Sequence, residues 1–361
     1  MPEHLIFCTA FAAGDDSAIN AYRLNDESGS LELLHRNTDI DQPFFLALSP
    51  NRKFLYATNC TTDFEADDCD VVAFEIVGTD GELKRLNTSS ARGATTCYLD
   101  VNPSGKCLVL ANYSGGSVAA MPIRDDGSLG EITSHIQLKG GSMVNADRQE
   151  GPHLHCAELS ADGNLMCACD LGNDKVMIYR LDADSATLTP NQAQPFVATQ
   201  GGAGPRHFTI HPTGKYAYAN NEMSNSVNVY VFDAAAGTLV EQQVISSLPD
   251  DFTDETYTAD IKITPCGTYL YCSNRGHDSI AAYRIGDDGS LALVEITSSR
   301  GNFAQNILIT PDGGTLLCAN MDGWSKGAAN IAVFRIDKDS GKLSALGDTV
   351  ALPTPSCLML V

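Results

Sequence analysis

Four side chains combine the groups needed for anion binding and proton transfer: the imidazole of His155, the carboxylate of Glu222 and the guanidinium groups of Arg206 and Arg275. A guanidinium fork grips phosphate or carboxylate in bidentate fashion and stabilises developing negative charge. An imidazole or a carboxylate can take the proton of an attacking water. Internal comparison singles these four out, because each occupies a fixed place relative to a turn residue that recurs along the chain. Taking Arg52, Gly105, Gly163, Gly214, Gly267 and Gly313 as origins, the residues eight before are Phe44, Cys97, His155, Arg206, Ala259 and Gln305. Those eight after are Cys60, Tyr113, Leu171, Glu222, Arg275 and Met321. The sister positions are mostly bland, so the charged members have no general structural necessity. A salt-bridge ring tying neighbouring repeats together is the plain alternative.

The elements that must position these groups are short strands. A strand centred on a large residue recurs at Tyr22, Phe74, Met121, Tyr179, Tyr230, Tyr283 and Phe334, at intervals of 47 to 58 residues. Each is followed by an Asp/Ser/Gly turn and a leucine-containing run, as in DDGSLGEI and DDGSLALV. Those turn residues tolerate positive φ and mark hairpins. Upstream lie two more strands around the turn origin, as in YLDVNPSGKCLVLAN and FTIHPTGKYAYANN. Four strands in about 50 residues make a propeller blade. No sustained helical period is present. The pattern predicts an all-β, seven-bladed propeller of four-stranded blades, one domain over residues 1–361. The chain starts on a second strand (HLIFCTAFA) and ends on a first strand (TPSCLMLV), so the C-terminal strand near 356–361 is expected to join the N-terminal blade near 4–10 and close the ring. First strands line the channel of a propeller. Their starts and the ends of the second strands should therefore meet at one mouth, with the two arginines forming a local positive focus.

One position before the second set stand Asn59, Asn112, Asp170, Asn221, Asn274 and Asn320. Recurrence in nearly every repeat argues against a single calcium site and for local side-chain to backbone bonding at strand ends. Asp170 alone is expected to reach the mouth. His153, His207, His211 and His277 carry weaker signals, and Trp324, in a Gly/Ser loop, is a candidate contact or lid residue.

Composition narrows the partners. Lys and Arg number 23 against 45 Asp and Glu, a formal charge of −22. Such a chain repels nucleic acid and anionic lipid, whose binding rests on basic residues. No apolar run reaches membrane-spanning length and the N-terminus lacks a basic leader, so a cytoplasmic location is expected. The 12 cysteines show no metal spacing and sit mostly in apolar runs, as reduced core residues do; Cys60 and Cys69 flank an acidic loop. Neither a metal nor an organic cofactor is required.

The runs GGSMVNADRQEGPHLH, GAGPRHFTIHPTGKYAYANNE and ADIKITPCGTYLYCSNRGHDSIAAYRI resemble the seven-bladed propeller lactonase family, which includes bacterial-type 6-phosphogluconolactonases and fungal carboxy-cis,cis-muconate lactonising enzymes. The resemblance extends along essentially the whole chain and places that family's site on His155, Arg206, Glu222 and Arg275. It implies hydrolysis of a small anionic sugar lactone, 6-phosphogluconolactone first among them, by a monomer or weak homo-oligomer. Arg206 and Arg275 would bind the anion with help from Arg148, His207 and Asp170, and His155 or Glu222 would be the base. Three departures from the family pattern bear on substrate: Asp260 after Ala259 where Glu is usual, Gln305 between Ala304 and Asn306 where Arg is common, and Met321 where Gln is common. Lactone formation from a muconate and a non-catalytic binding scaffold are the competing readings.

Overall fold

The computed structural model describes residues 3–61, 64, 65, 67–323 and 329–361; Trp324 lies outside the described residues. Seven antiparallel sheets follow one another around a ring. Blade 1 comprises Leu46–Leu48, Phe54–Asn59, Asp68–Val77 and Glu82–Ala94 from the channel outward. Blade 2 begins at Thr96–Val101, blade 3 at Glu158–Leu159, blade 4 at Pro205–Ile210, blade 5 at Tyr257–Ile263 and blade 6 at Ala304–Ile309. In blades 3 and 6 the outermost strand is broken in two, which gives those sheets a fifth segment. Blade 7 is assembled from both ends of the chain: Pro355–Leu360 is its innermost strand and pairs with Glu3–Ala10 in the register Ile6↔Leu360, Phe7↔Met359, Cys8↔Leu358. The Thr9 hydroxyl fastens this seam, accepting the amide of Cys357 and bonding the Ser356 hydroxyl, both at 2.8 Å.

The sequence pattern explains the layering. Second strands such as Cys107–Asn112 and Thr315–Asn320 are buried throughout, because a blade is covered on both faces by its neighbours. Continuous apolar runs therefore replace alternation there. Outermost strands such as Leu31–Asn37 face solvent and are mostly polar. The recurring large residues Tyr22, Phe74, Met121, Tyr179, Tyr230, Tyr283 and Phe334 all lie on third strands, buried between blades. Each contributes roughly 2 kcal/mol of burial. The turn origins adopt the left-handed conformation that glycine accommodates, with φ of 72° at Gly105 and 76° at Gly267; Arg52 takes the same conformation at 58°.

All 12 cysteines are free thiols, and of these only Cys266, in a surface turn of blade 5, is exposed. Titration with a disulfide reagent should therefore find one fast-reacting thiol in the native protein and 12 in denaturant without prior reduction. A native count of four or more fast thiols, or a shortfall in denaturant, would contradict this packing.

Candidate active site at one mouth of the channel

Local irregularity in the first strands aims the site residues. In blade 4, Pro205 pairs with Asn221 and His207 with Asn220, so Arg206 is the extra residue of a β-bulge. The same shift isolates Cys97 in blade 2 and Gln305 in blade 6, and in blade 5 it falls between Thr258 and Ile261, around Ala259 and Asp260. A bulge breaks the two-residue alternation and re-aims a side chain. Here it turns Cys97, Arg206 and Gln305 toward the mouth. His155 arrives differently: the short first strand of blade 3 starts later, and the His155 amide bonds Cys169 O at 2.9 Å.

A cavity of about 460 Å³ opens at this mouth. Nine of the twelve positions in the two sister sets line it: Phe44, Cys97, His155, Arg206 and Gln305 from the first, Tyr113, Glu222, Arg275 and Met321 from the second. The four charged candidates therefore meet, as expected from the repeat. Glu222 is their centre. Its Oε2 accepts Arg206 Nε at 2.9 Å and forms an ion pair with Arg275 Nη2 at 2.8 Å, and Arg148 Nη2 donates to Oε1. Arg148 comes from the long connection between blades 2 and 3, held in place by the buried Gln149, whose amide donates to Leu171 O and Asp174 Oδ1. Three guanidiniums on one carboxylate leave a net charge of +2 on the cavity floor.

The protonation states follow from this crowding. Burial opposes the charge on Glu222, but Arg275, Arg206 and Arg148 together outweigh it and hold the carboxyl well below its usual range. Burial and the neighbouring Arg275 lower Arg206 to about 10, which still leaves it cationic at neutral pH. His155 is pushed well below the ordinary imidazole value by burial, then by Arg206 and His207, so it is neutral. Its Nδ1 lies 3.6 Å from Cys97 Sγ, and burial keeps that sulfur a thiol. Tyr113 stacks on His153 at 4.5 Å between ring centres. Phe44, Phe303 and Met321 supply apolar lining, and Phe303 lies 5.1 Å from the Arg275 guanidinium.

Two expected substrate contacts do not reach the cavity. Asp170 is fully buried and accepts the amides of His153 and Asn173 at its strand end. It thus behaves like its sister amides; Asn112, Asn274 and Asn320 donate to Ala91 O, Ser247 O and Ser299 O. His207 sits beneath Arg206 and bonds Asp260 instead, because the bulge that turns Arg206 outward returns the next residue to the interior. The positive focus is also confined to the floor, since Glu65, Asp147 and Glu150 line the cavity as well. Sequence reasoning missed these rim carboxylates and Phe303, which lie in connections without sister positions. Tyr113 falls among the bland sister positions in sequence, although an aromatic hydroxyl beside the sisters Cys60, Leu171 and Met321 was the available signal. Among the described residues no group of three or more His, Cys, Asp or Glu is arranged to hold a metal, and no helix is long and apolar enough to cross a membrane.

The fold is a seven-bladed propeller whose channel mouth gathers three guanidiniums, a carboxylate and a neutral imidazole. Comparisons with known proteins give its family. Residues 5–360 match the family model described as lactonase, 7-bladed beta-propeller, and the chain belongs to that family. It is 33% identical over 360 residues to a 6-phosphogluconolactonase of Bacillus subtilis, covering 99% of this chain and 98% of the relative. A 6-phosphogluconolactonase of Formosa agariphila is 30% identical over 348 residues, 95% of each chain. Among solved structures, a periplasmic gluconolactonase of Pseudomonas aeruginosa superposes with a TM-score of 0.90 at 26% identity, covering 100% of this chain and 99% of that one.

The buried histidines make stability depend on pH. Burial, then Arg206, lowers His207 to about 4 in the folded protein, against an ordinary value of about 6.5. The unfolded chain therefore binds protons first, and the stability of the neutral form is present above the unfolded value and lost as pH falls toward the folded one. Denaturant unfolding should show stability declining from about pH 6.5 to pH 4, and His207→Gln should flatten that decline by up to about 3 kcal/mol. An unchanged slope in the variant would contradict the assignment.

Proposed function

We propose that the protein hydrolyses a small anionic sugar lactone at this mouth, with 6-phosphogluconolactone the leading candidate. The observation that carries the reading is the partly compensated cationic floor: three guanidiniums share one carboxylate beside a neutral imidazole. His155 takes a proton from water as its oxygen attacks the lactone carbonyl carbon, and Arg206 and Arg275 stabilise the resulting oxyanion. Collapse breaks the ring C–O bond. The proton held by His155 passes to the leaving alkoxide, giving a hydroxy acid. Glu222 serves this scheme as the anchor of the arginines, since both of its oxygens are already engaged by guanidiniums. The names of the relatives support a sugar lactone, and the rim carboxylates are suited to accept its hydroxyl groups. Reaction in the cytoplasm, without metal or organic cofactor, fits the residues and the charge of −22.

Steady-state hydrolysis tests the division of labour. Arg206→Lys and Arg275→Lys keep charge but lose the fork, and each should lower kcat/KM by about 10²-fold with KM raised for a phosphorylated lactone. His155→Ala should cost about 10²–10⁴-fold in kcat. Cysteine and alanine occupy sister slots, so the fold should tolerate a small residue there. Near-normal hydrolysis by all three variants would overturn the proposal.

A further inference from the structure

We propose that Asp260 and His207, neither of which lines the cavity, are positioning residues that aim the Arg206 guanidinium at the substrate. The inference rests on the lactonase reading and deepens it. Asp260 is fully buried on the first strand of blade 5. Its Oδ1 accepts His207 Nδ1 at 2.8 Å, Lys262 Nζ at 2.8 Å and the Ile261 amide at 2.9 Å. Its Oδ2 accepts Asn306 Nδ2 at 2.7 Å and the Ile307 amide at 3.0 Å. Five donors from blades 4, 5 and 6 fix this carboxylate, and only one of the five leads back toward the cavity.

That one is His207. Donation from Nδ1 to Asp260 makes Nε2 the acceptor, and Nε2 faces Arg206 Nη1 at 3.2 Å, a group that can only donate. The two neighbours therefore select the same tautomer. The ring is also confined, with Tyr98 at 5.3 Å, His155 at 5.4 Å and Phe45 at 6.2 Å between ring centres. Arg206 is in turn held at three acceptors: Nε on Glu222, Nη1 on His207 and on Ala259 O. Among the described residues Nη2 makes no hydrogen bond, and Arg206 lines the cavity, so Nη2 is the nitrogen left to a ligand. Orientation of a buried donor by a partner behind it is the arrangement that tunes metal-bound histidines, here applied to an arginine. Removing the acceptor would leave Nη1 on the Ala259 carbonyl alone, loosening the guanidinium so that it loses aim without losing charge.

Four variants of the full-length enzyme test this, read by lactone hydrolysis and by NMR of isotope-labelled histidine. His207→Leu should lower kcat/KM by about 30-fold or more, divided between kcat and KM as in Arg206→Lys. His207→Gln, whose amide oxygen can sit where Nε2 was, should recover to within about 5-fold of wild type. In the Arg206→Lys background the leucine change should cost less than about 3-fold, since the group it aims is gone. Asp260→Asn keeps the shape and should lower kcat/KM by about 10-fold. The wild-type spectrum should show His207 protonated at Nδ1 and bare at Nε2 from about pH 5 to 8. A His207→Leu enzyme with wild-type kinetics, an undiminished cost in the Arg206→Lys background, or an Nε2–H tautomer would overturn the proposal. Should His207→Leu fail to fold, the glutamine and asparagine variants and the spectrum decide. A wild-type enzyme inert to every lactone would sink the functional reading instead, while the tautomer still tests the positioning.

Discussion

One carboxylate among three guanidiniums is the constraint on which the site depends. Arg148, Arg206 and Arg275 all converge on Glu222, which is itself almost fully buried. Charges so close in a poorly solvated place are costly singly and tolerable only as a set, and losing one member of a buried ion pair typically costs about 3–5 kcal/mol. The set is unbalanced by design of its residues: the carboxylate holds the cations in place without neutralising them. What remains is a preorganised +2 floor, which in the proposed function holds an anion, whether bound substrate or an oxyanion formed during reaction.

Holding that floor requires parts from several blades to stay in register. Glu222 and Arg206 belong to blade 4, Arg275 to blade 5, and Arg148 to the connection between blades 2 and 3. The Asp260 carboxylate ties blades 4, 5 and 6 beneath them. Asn306 carries the link to the closing strand, its Oδ1 accepting the Leu358 amide at 2.8 Å. The seam that joins the two ends of the chain is thus part of the same polar scaffold. A propeller serves such a site because rigid inner strands converge radially, and one bulge per strand suffices to turn a side chain into the mouth.

Much of this was legible in the sequence because repetition supplies its own comparison. Seven recurrences of a large buried residue gave the blade number, and the split strand pair gave the ring closure. The charged sister positions gave His155, Arg206, Glu222 and Arg275. What escaped lies where repetition fails. Glu65, Asp147, Glu150 and Phe303 sit in connections of unique length, and Arg148 stood out only through the family resemblance. The bulges escaped because each inserts one residue at the same place in several blades, leaving the spacing to the turn unchanged. Hence Arg206 and His207, adjacent and both polar, could not be told apart as outward and inward. Asp170 was read as an exception among amides, although it makes the same kind of strand-end bonds as they do.

The central claim, that Glu222 exists to hold a cationic floor, is tested most directly by thermal unfolding of Glu222→Gln with and without inorganic phosphate. With the anchor gone, three guanidiniums face one another uncompensated, and Tm should fall by on the order of 5–10 °C. Millimolar phosphate should restore most of that loss, with a larger shift than it gives the wild type, because the anion replaces the missing carboxylate. A Glu222→Gln protein that melts like wild type and responds to phosphate no more strongly would contradict the account.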